Sequence, residues 1–261
     1  MRRKAISDAG KFDVMTYALR RKGLDAVLAG RPLEGEGFFR TALEEELSDS
    51  ERVRFLVCLG DALIDEGLCD EAEQQLGHAL ELGDATGSAQ GSMADVLLLK
   101  GNDPERALHM AEQSFALAED RGTREGHETL VNLRGARMWT RKAQALLLMH
   151  RRDDAEDAVQ NAVALAVEAH ACDRDADEVG VDLAELVSTV PMRRLESLAI
   201  AATHWRIGTA LAALDHKDRA VEHFRIAWNA DRGGKYRLLA EKALDRIGTP
   251  AARSDASRLS R

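Results

Sequence analysis

The sequence predicts an all-α protein, a solenoid of antiparallel helix pairs with about five repeats, an inserted helix and a C-terminal capping helix. Three observations carry this. The 261 residues are 45% hydrophobic but only 4% aromatic, with 31% charged residues and 4 prolines, which suits surface-rich helices with narrow apolar stripes rather than a sheet core. Small and large residues recur along the chain at one spacing. Clusters of Gly, Pro, Asn, Asp and Ser punctuate the intervals between them.

In chain order, the first pair carries Leu19, Gly23 and Ala26, then Gly35, Phe39 and Ala42. Gly30-Arg31-Pro32 separates the two sets, with Pro32 tolerated near the start of a helix. Ser48-Asp49-Ser50 offers a cap for the next helix, which brings Leu56, Leu59, Gly60 and Leu63 and leads to Ala72, Leu76 and Ala79. A weaker copy runs through Ala94, Asp95 and Leu98 to Ala107, Ala111 and Ser114, with breaks at 84–88 and at Gly101-Asn102-Asp103-Pro104. Arg121-Gly122-Thr123 reads as a further break, and the proline-free stretch between Thr123 and His150 as one unusually long helix. That helix supplies Trp139, Ala143 and Leu146, followed by Ala155, Val159 and Ala162.

Residues 172–190 leave the pattern. Val179, Leu183, Leu186, Val187 and Val190 form an apolar helical stripe behind Asp173, Asp175, Asp177 and Glu178, carboxylates that a helix N-terminus favours. This inserted helix either covers the seam between two repeats or acts as a movable latch. The fullest copy follows, His204, Ile207, Gly208 and Leu211, then Ala220, Phe224 and Ala227. Tyr236, Leu239, Ala240 and Ala243 match a first helix with no second after it, as a cap would. The helical domain thus spans 12–247, with 1–11 read as flexible and 248–261 as a disordered basic tail.

These slots are those of the tetratricopeptide repeat (TPR), a helix-turn-helix unit of about 34 residues, and on these residues the chain resembles that family. The spacing here is irregular, about 37, 35, 48, 65 and 32 residues between successive units, in the manner of the long-repeat TPR domains of bacterial regulators such as the sensor arms of MalT-like activators and Rap-type proteins. The resemblance implies a right-handed superhelix whose first helices line a concave surface where peptides bind. Projected from the register, that surface receives Tyr17, Arg20 and Leu24, then Arg54, Val57 and Asp61. Arg137, Thr140 and Gln144 follow, then Trp205, Thr209, Arg237 and Glu241. Guanidinium forks pair with carboxylates and stack on rings, so an acidic segment with an apolar anchor is the expected ligand in this protein of net charge −9. The lysine and asparagine set with which some TPR proteins clamp chaperone tails is absent from these slots.

Other classes fit poorly. No Gly-rich phosphate loop or nucleophile elbow occurs, and Glu44-Glu45-Glu46 reads as a solvated helix face, so catalysis and cofactors are not expected. His204, His216 and His223 are split by the turn at Asp215 and do not read as a metal trio. From Arg193 onward there are 14 basic and 8 acidic residues, but without aromatic interleaving this basic end is not read as a nucleic-acid surface. The charge asymmetry can equally guide self-association end to end. With no apolar signal core after Met1-Arg2-Arg3-Lys4, no long apolar run and three scattered cysteines, the reading is a cytoplasmic chain with reduced thiols. The expected function is a non-catalytic adaptor that holds a peptide or helix of a partner in the concave groove. The alternative is a regulator that senses a small ligand or peptide there and responds by rearranging the superhelix.

Overall fold

The computed structural model describes residues 2–125, 128–171, 194–231 and 234–248. Eleven helices and no strand occur among them. They are α1 (Arg2–Leu28), α2 (Pro32–Leu43), α3 (Asp49–Glu66), α4 (Cys69–Glu81), α5 (Ser88–Lys100), α6 (Pro104–Glu125), α7 (Glu128–Leu148), α8 (Arg152–Ala171), α9 (Arg194–Ala213), α10 (Lys217–Ala230) and α11 (Lys235–Ile247). Consecutive helices pack on one another to give the five expected pairs, α1/α2 through α9/α10, with α11 as the cap.

Local chemistry sets the helix ends. Ser48 caps α3 in a reciprocal box: the Glu51 backbone N–H donates to the Ser48 hydroxyl, and the Ser48 backbone N–H donates to the Glu51 carboxylate. Every turn inside a pair places one residue in the left-handed region, Gly30, Gly67 and Gly101 in the first three, His150 (φ 58°) and Asp215 (φ 67°) in the last two. In four of these turns the next residue's N–H then reaches back to a carbonyl five residues earlier, satisfying an orphaned helix end, as Leu68 does to Leu63 and His216 to Leu211.

The repeat slots do the packing predicted of them. A Cβ placed on Gly208 would sit 2.8 Å from the Phe224 ring, and one on Gly60 would sit 2.7 Å from Leu76, so each glycine lets two backbones approach until the large residue opposite fills the gap. Phe39, Leu76, Ala72, Ala220 and Ala227 are fully enclosed. The core forms two long stretches between the helix layers, one under α1 to α6 and one under α7 to α11, bridged by Ala94, Ala111 and Met138. This is TPR-type packing, read directly from the helix pairs.

One expectation is corrected. The break at Arg121-Gly122-Thr123 lies inside α6, which runs on to Glu125, and the long helix read between Thr123 and His150 is α7, which starts at Glu128 and packs against α6. One helical glycine costs only about 1 kcal/mol, less than the packing of a whole helix face returns. Residues 2–11 form the first part of α1. Arg2, Arg3, Lys4 and Ala5 are good helix formers, and α1 simply extends through them. The inserted helix at 172–190 and residues 249–261 lie outside the described residues.

Gly208→Leu should destabilise the fold by roughly 1 to 3 kcal/mol through overpacking against Phe224. Gly77→Ala is its opposite, because that helical position opens onto empty space, and it should stabilise by about 0.4 to 1 kcal/mol. Urea denaturation of both variants checks the repeat register, which fails if both behave like the wild type.

Candidate functional site

The inner wall is built by the first helix of each pair, and its organising contact joins three of them. Asp95, on α5, occupies the slot that holds glycine in the stronger repeats, and the matching slot on α6, filled by an aromatic in the fullest repeat, holds the buried Ala111. Its carboxylate accepts two parallel bonds from Arg141 on α7 (2.8 and 2.9 Å) and two from Arg206 on α9 (2.8 and 2.6 Å). Arg141 and Arg206 occupy the same register position in adjacent repeats, so two bidentate forks converge on one anion. All three side chains are less than a fifth exposed. Burial pushes the Asp95 carboxyl up, but the two guanidiniums outweigh it and hold it well below the usual carboxylate range.

A second contact closes the curve. Lys235, at the start of α11, donates to Asp65 at the end of α3 at 2.5 and 2.6 Å, a link spanning 170 residues. Beside it a Cβ on Gly234 would lie 2.6 Å from the Leu28 carbonyl oxygen, and Leu238 lies 3.3 Å from the Cβ position of Gly30. Only glycine permits that backbone approach. Asp231 prepares α11 for docking by accepting from the N–H groups of Gly234 (3.1 Å) and Tyr236 (2.9 Å). The last helix therefore touches the first and third, and the groove becomes a chamber of about 1030 Å³.

The chamber wall carries Arg134, Arg137, Arg141, Arg206, Lys235 and Lys242 against Asp61, Asp65 and Asp95. Asp95 and Asp65 are spoken for. Asp61 accepts from the Ser92 hydroxyl at 2.5 Å and faces the chamber; the surrounding protein pushes its carboxyl up to about 6, with Ser92 and Lys235 opposing the shift and Asp95 and Asp65 adding to it. Arg137 has no carboxylate partner among the described residues, and its Nε makes no hydrogen bond. Burial and the neighbouring guanidiniums of Arg141, Arg206 and Arg134 bring its pKa down to about 10. Trp205 and Tyr236 stand next to each other on the wall, ring centres 6.2 Å apart.

Of the thirteen residues projected onto the concave surface, Leu24, Val57, Asp61, Arg137, Gln144 and Trp205 line the chamber. Tyr17 and Arg54 are exposed outside its lining, and Arg20 lies against Cys58. Thr140 is fully buried and donates to the Arg137 carbonyl (2.7 Å), and Thr209 donates to that of Trp205 (2.9 Å), so both hydroxyls serve their own helices. Arg237 lies 3.7 Å over the Trp228 ring, away from the chamber. The sequence reading missed Asp95, Arg141, Arg206 and the Asp65–Lys235 pair. A carboxylate in a glycine slot and an arginine repeated at one register position were the available signals.

The three histidines do not converge. His204 and His223 are buried and stacked, Nδ1 to Nδ1 2.9 Å, and burial, with Arg219 nearby, brings His223 down to about 4. His216 instead bonds Glu156. No group of three or more His, Cys, Asp or Glu is placed to hold a metal among the described residues, and no described helix is long and apolar enough to cross a membrane.

The fold defines the class, a TPR-type helical-repeat protein. No family model and no curated protein matches the chain. Solved structures to which it is similar include MamA (15% identity, 84% of this chain and 92% of that one, TM-score 0.43). A putative kinesin light chain of Podospora anserina with nearly identical TPR-like repeats gives 14% identity, 89% and 96% coverage and a TM-score of 0.47. The TPR2AB domain of yeast Sti1, in a complex with pHSP90, gives 15%, 90%, 97% and 0.36.

Asp95→Asn should cost about 3 to 5 kcal/mol, because it strips the counter-charge from two enclosed guanidiniums. Calorimetry checks it, and near-wild-type stability would remove Asp95 from its central role. Asp61 gives the opposite pH signature. Its folded pKa of about 6 exceeds the ordinary value near 3.9, so its contribution is fully present below about pH 4 and is lost as pH rises through 6. Stability measured at pH 5 and 7.5 should therefore fall less in Asp61→Asn than in the wild type; an equal fall in both places the titration elsewhere.

Proposed function

We propose that this chain is a non-catalytic binding protein that takes a short acidic segment of a partner protein into its inner chamber. The observation that supports this best is the charge of the wall, six cationic side chains against three carboxylates in a protein whose overall charge is −9. A cationic interior within an acidic shell selects an anion that can enter, and guanidiniums beside an indole match a carboxylate next to an apolar side chain. The contact of α11 with α1 and α3 narrows the groove, so an extended segment of few residues suits it better than the long partner helix an open groove would take.

The docking of α11 on α1 and α3 favours a second element, the ligand-sensing regulator. A ligand that draws the wall inward or pries it apart acts on the Asp65–Lys235 contact and so on the pitch of the whole superhelix, which is how binding would be relayed to a partner regulator.

A fluorescent twelve-residue peptide of alternating Glu and Leu is a direct probe. Its binding should weaken by about tenfold or more in Trp205→Ala and lose affinity with salt, while Arg219→Gln combined with Arg246→Gln, both on the outside, leaves it unchanged. Equal weakening by the outer pair puts the site on the convex face. X-ray scattering of the same complex tests the sensing element, since an unchanged radius of gyration at saturation denies a change of pitch.

A further inference from the structure

Two gradients run side by side along the chamber wall. On α7 the chamber residues pass from Arg134, Arg137 and Arg141 through Gln144 to Leu147 and Leu148; on α5 they pass from Asp95 to Leu98 and Leu99. At 1.5 Å per residue, the apolar end lies roughly 16 Å from Arg137. The apolar end is not packed away: Leu99 is 62% exposed and Leu148 41%, and the two helix ends are neighbours, the Gly101 Cβ position lying 3.8 Å from Leu148. At the charged end, Asp95 satisfies Arg141 and Arg206, and no described carboxylate bonds Arg134 or Arg137. An unmatched guanidinium held among three others is costly to maintain. An exposed leucine surface one helix length away is costly for a different reason. One ligand removes both costs.

We infer that the chamber is a site for an amphiphilic oxyanion, a single carboxylate or phosphate head held by Arg137 and Arg134 with an apolar chain of about 10 to 15 Å lying along Leu98, Leu99, Leu147 and Leu148. The inference rests on the chamber being the binding site and specifies what anchors there. A medium-chain acyl carboxylate and the free C-terminus of a leucine-rich peptide present the same chemistry. The negative charges nearest the head do not oppose it, because Asp95 lies between two arginines and Asp65 is paired with Lys235. Among the described residues of the chamber wall, Asp61 is the one carboxylate without a cation bonded to it.

Isothermal titration with five probes separates the contributions. Decanoate should bind at least tenfold more tightly than decanol, which lacks the charge, and than inorganic phosphate, which lacks the tail. A Leu-rich pentapeptide with a free C-terminus, compared with its amide, tells whether the same head group is accepted from a peptide; either source satisfies the inference. Arg137→Gln should lose at least tenfold for decanoate and nothing for decanol. It should also melt higher than the wild type without ligand, because an uncompensated cation has gone, which separates a binding role from a structural one. Leu148→Ser should weaken decanoate and leave phosphate unaffected. Equal affinity for decanoate and decanol, or an Arg137→Gln variant that binds decanoate like the wild type, overturns the inference. If the acidic Glu/Leu peptide still binds in that case, the chamber reading stands and only the amphiphile is lost; if neither binds, both fall.

Discussion

The double fork on Asp95 is the constraint from which the rest of the inner wall follows. In a solenoid each repeat ordinarily touches its neighbours alone, and curvature is the sum of small rotations that no single contact fixes. Here one carboxylate ties α5 to α7 and, 111 residues away, to α9. Four charge-assisted bonds at 2.6 to 2.9 Å hold those three first helices at set distances, and the tightness of the superhelix is fixed by that triangle. Its cost is that two guanidiniums and a carboxylate lie away from bulk solvent, which only mutual pairing makes tolerable.

That triangle also explains why the wall is unevenly charged. Once Arg141 and Arg206 have consumed Asp95, the rest of the α7 stripe, Arg134 and Arg137, has no bonded carboxylate among the described residues. A protein selected only for stability would place leucine or glutamine there. Uncompensated charge in an enclosed site is a recurrent mark of binding surfaces, where stability is given up for the state that includes the ligand.

How much of this could be read beforehand divides along the same line. Helix pairs were legible because packing between them depends on residue size at fixed offsets: Gly208 under Phe224 and Gly60 under Leu76 follow from the sequence spacing itself. The α6/α7 boundary was not, because Gly122 and Thr123 are weak breakers that tertiary packing overrides. Projection of the concave face included Arg137, Asp61, Gln144 and Trp205, which line the chamber, and also Arg54 and Arg237, which lie outside its lining. A projection assumes an evenly open groove and cannot know that the last helix swings back onto the first. Asp95 looked like a flaw in a weak repeat when it was the feature around which the others are arranged.

The docking of α11 has a further consequence for how such a chain can change over time. Open repeat arrays lengthen and shorten readily, because adding or losing one unit leaves every remaining interface intact. In this protein Gly234 must meet the Leu28 carbonyl and Lys235 must meet Asp65, and both meetings depend on how many units lie between. One more unit would carry the cap past its seat, and one fewer would leave it short. The number of repeats is therefore itself a structural parameter of the molecule, as fixed as a bond angle, and variation is confined to loop lengths and to the chamber wall.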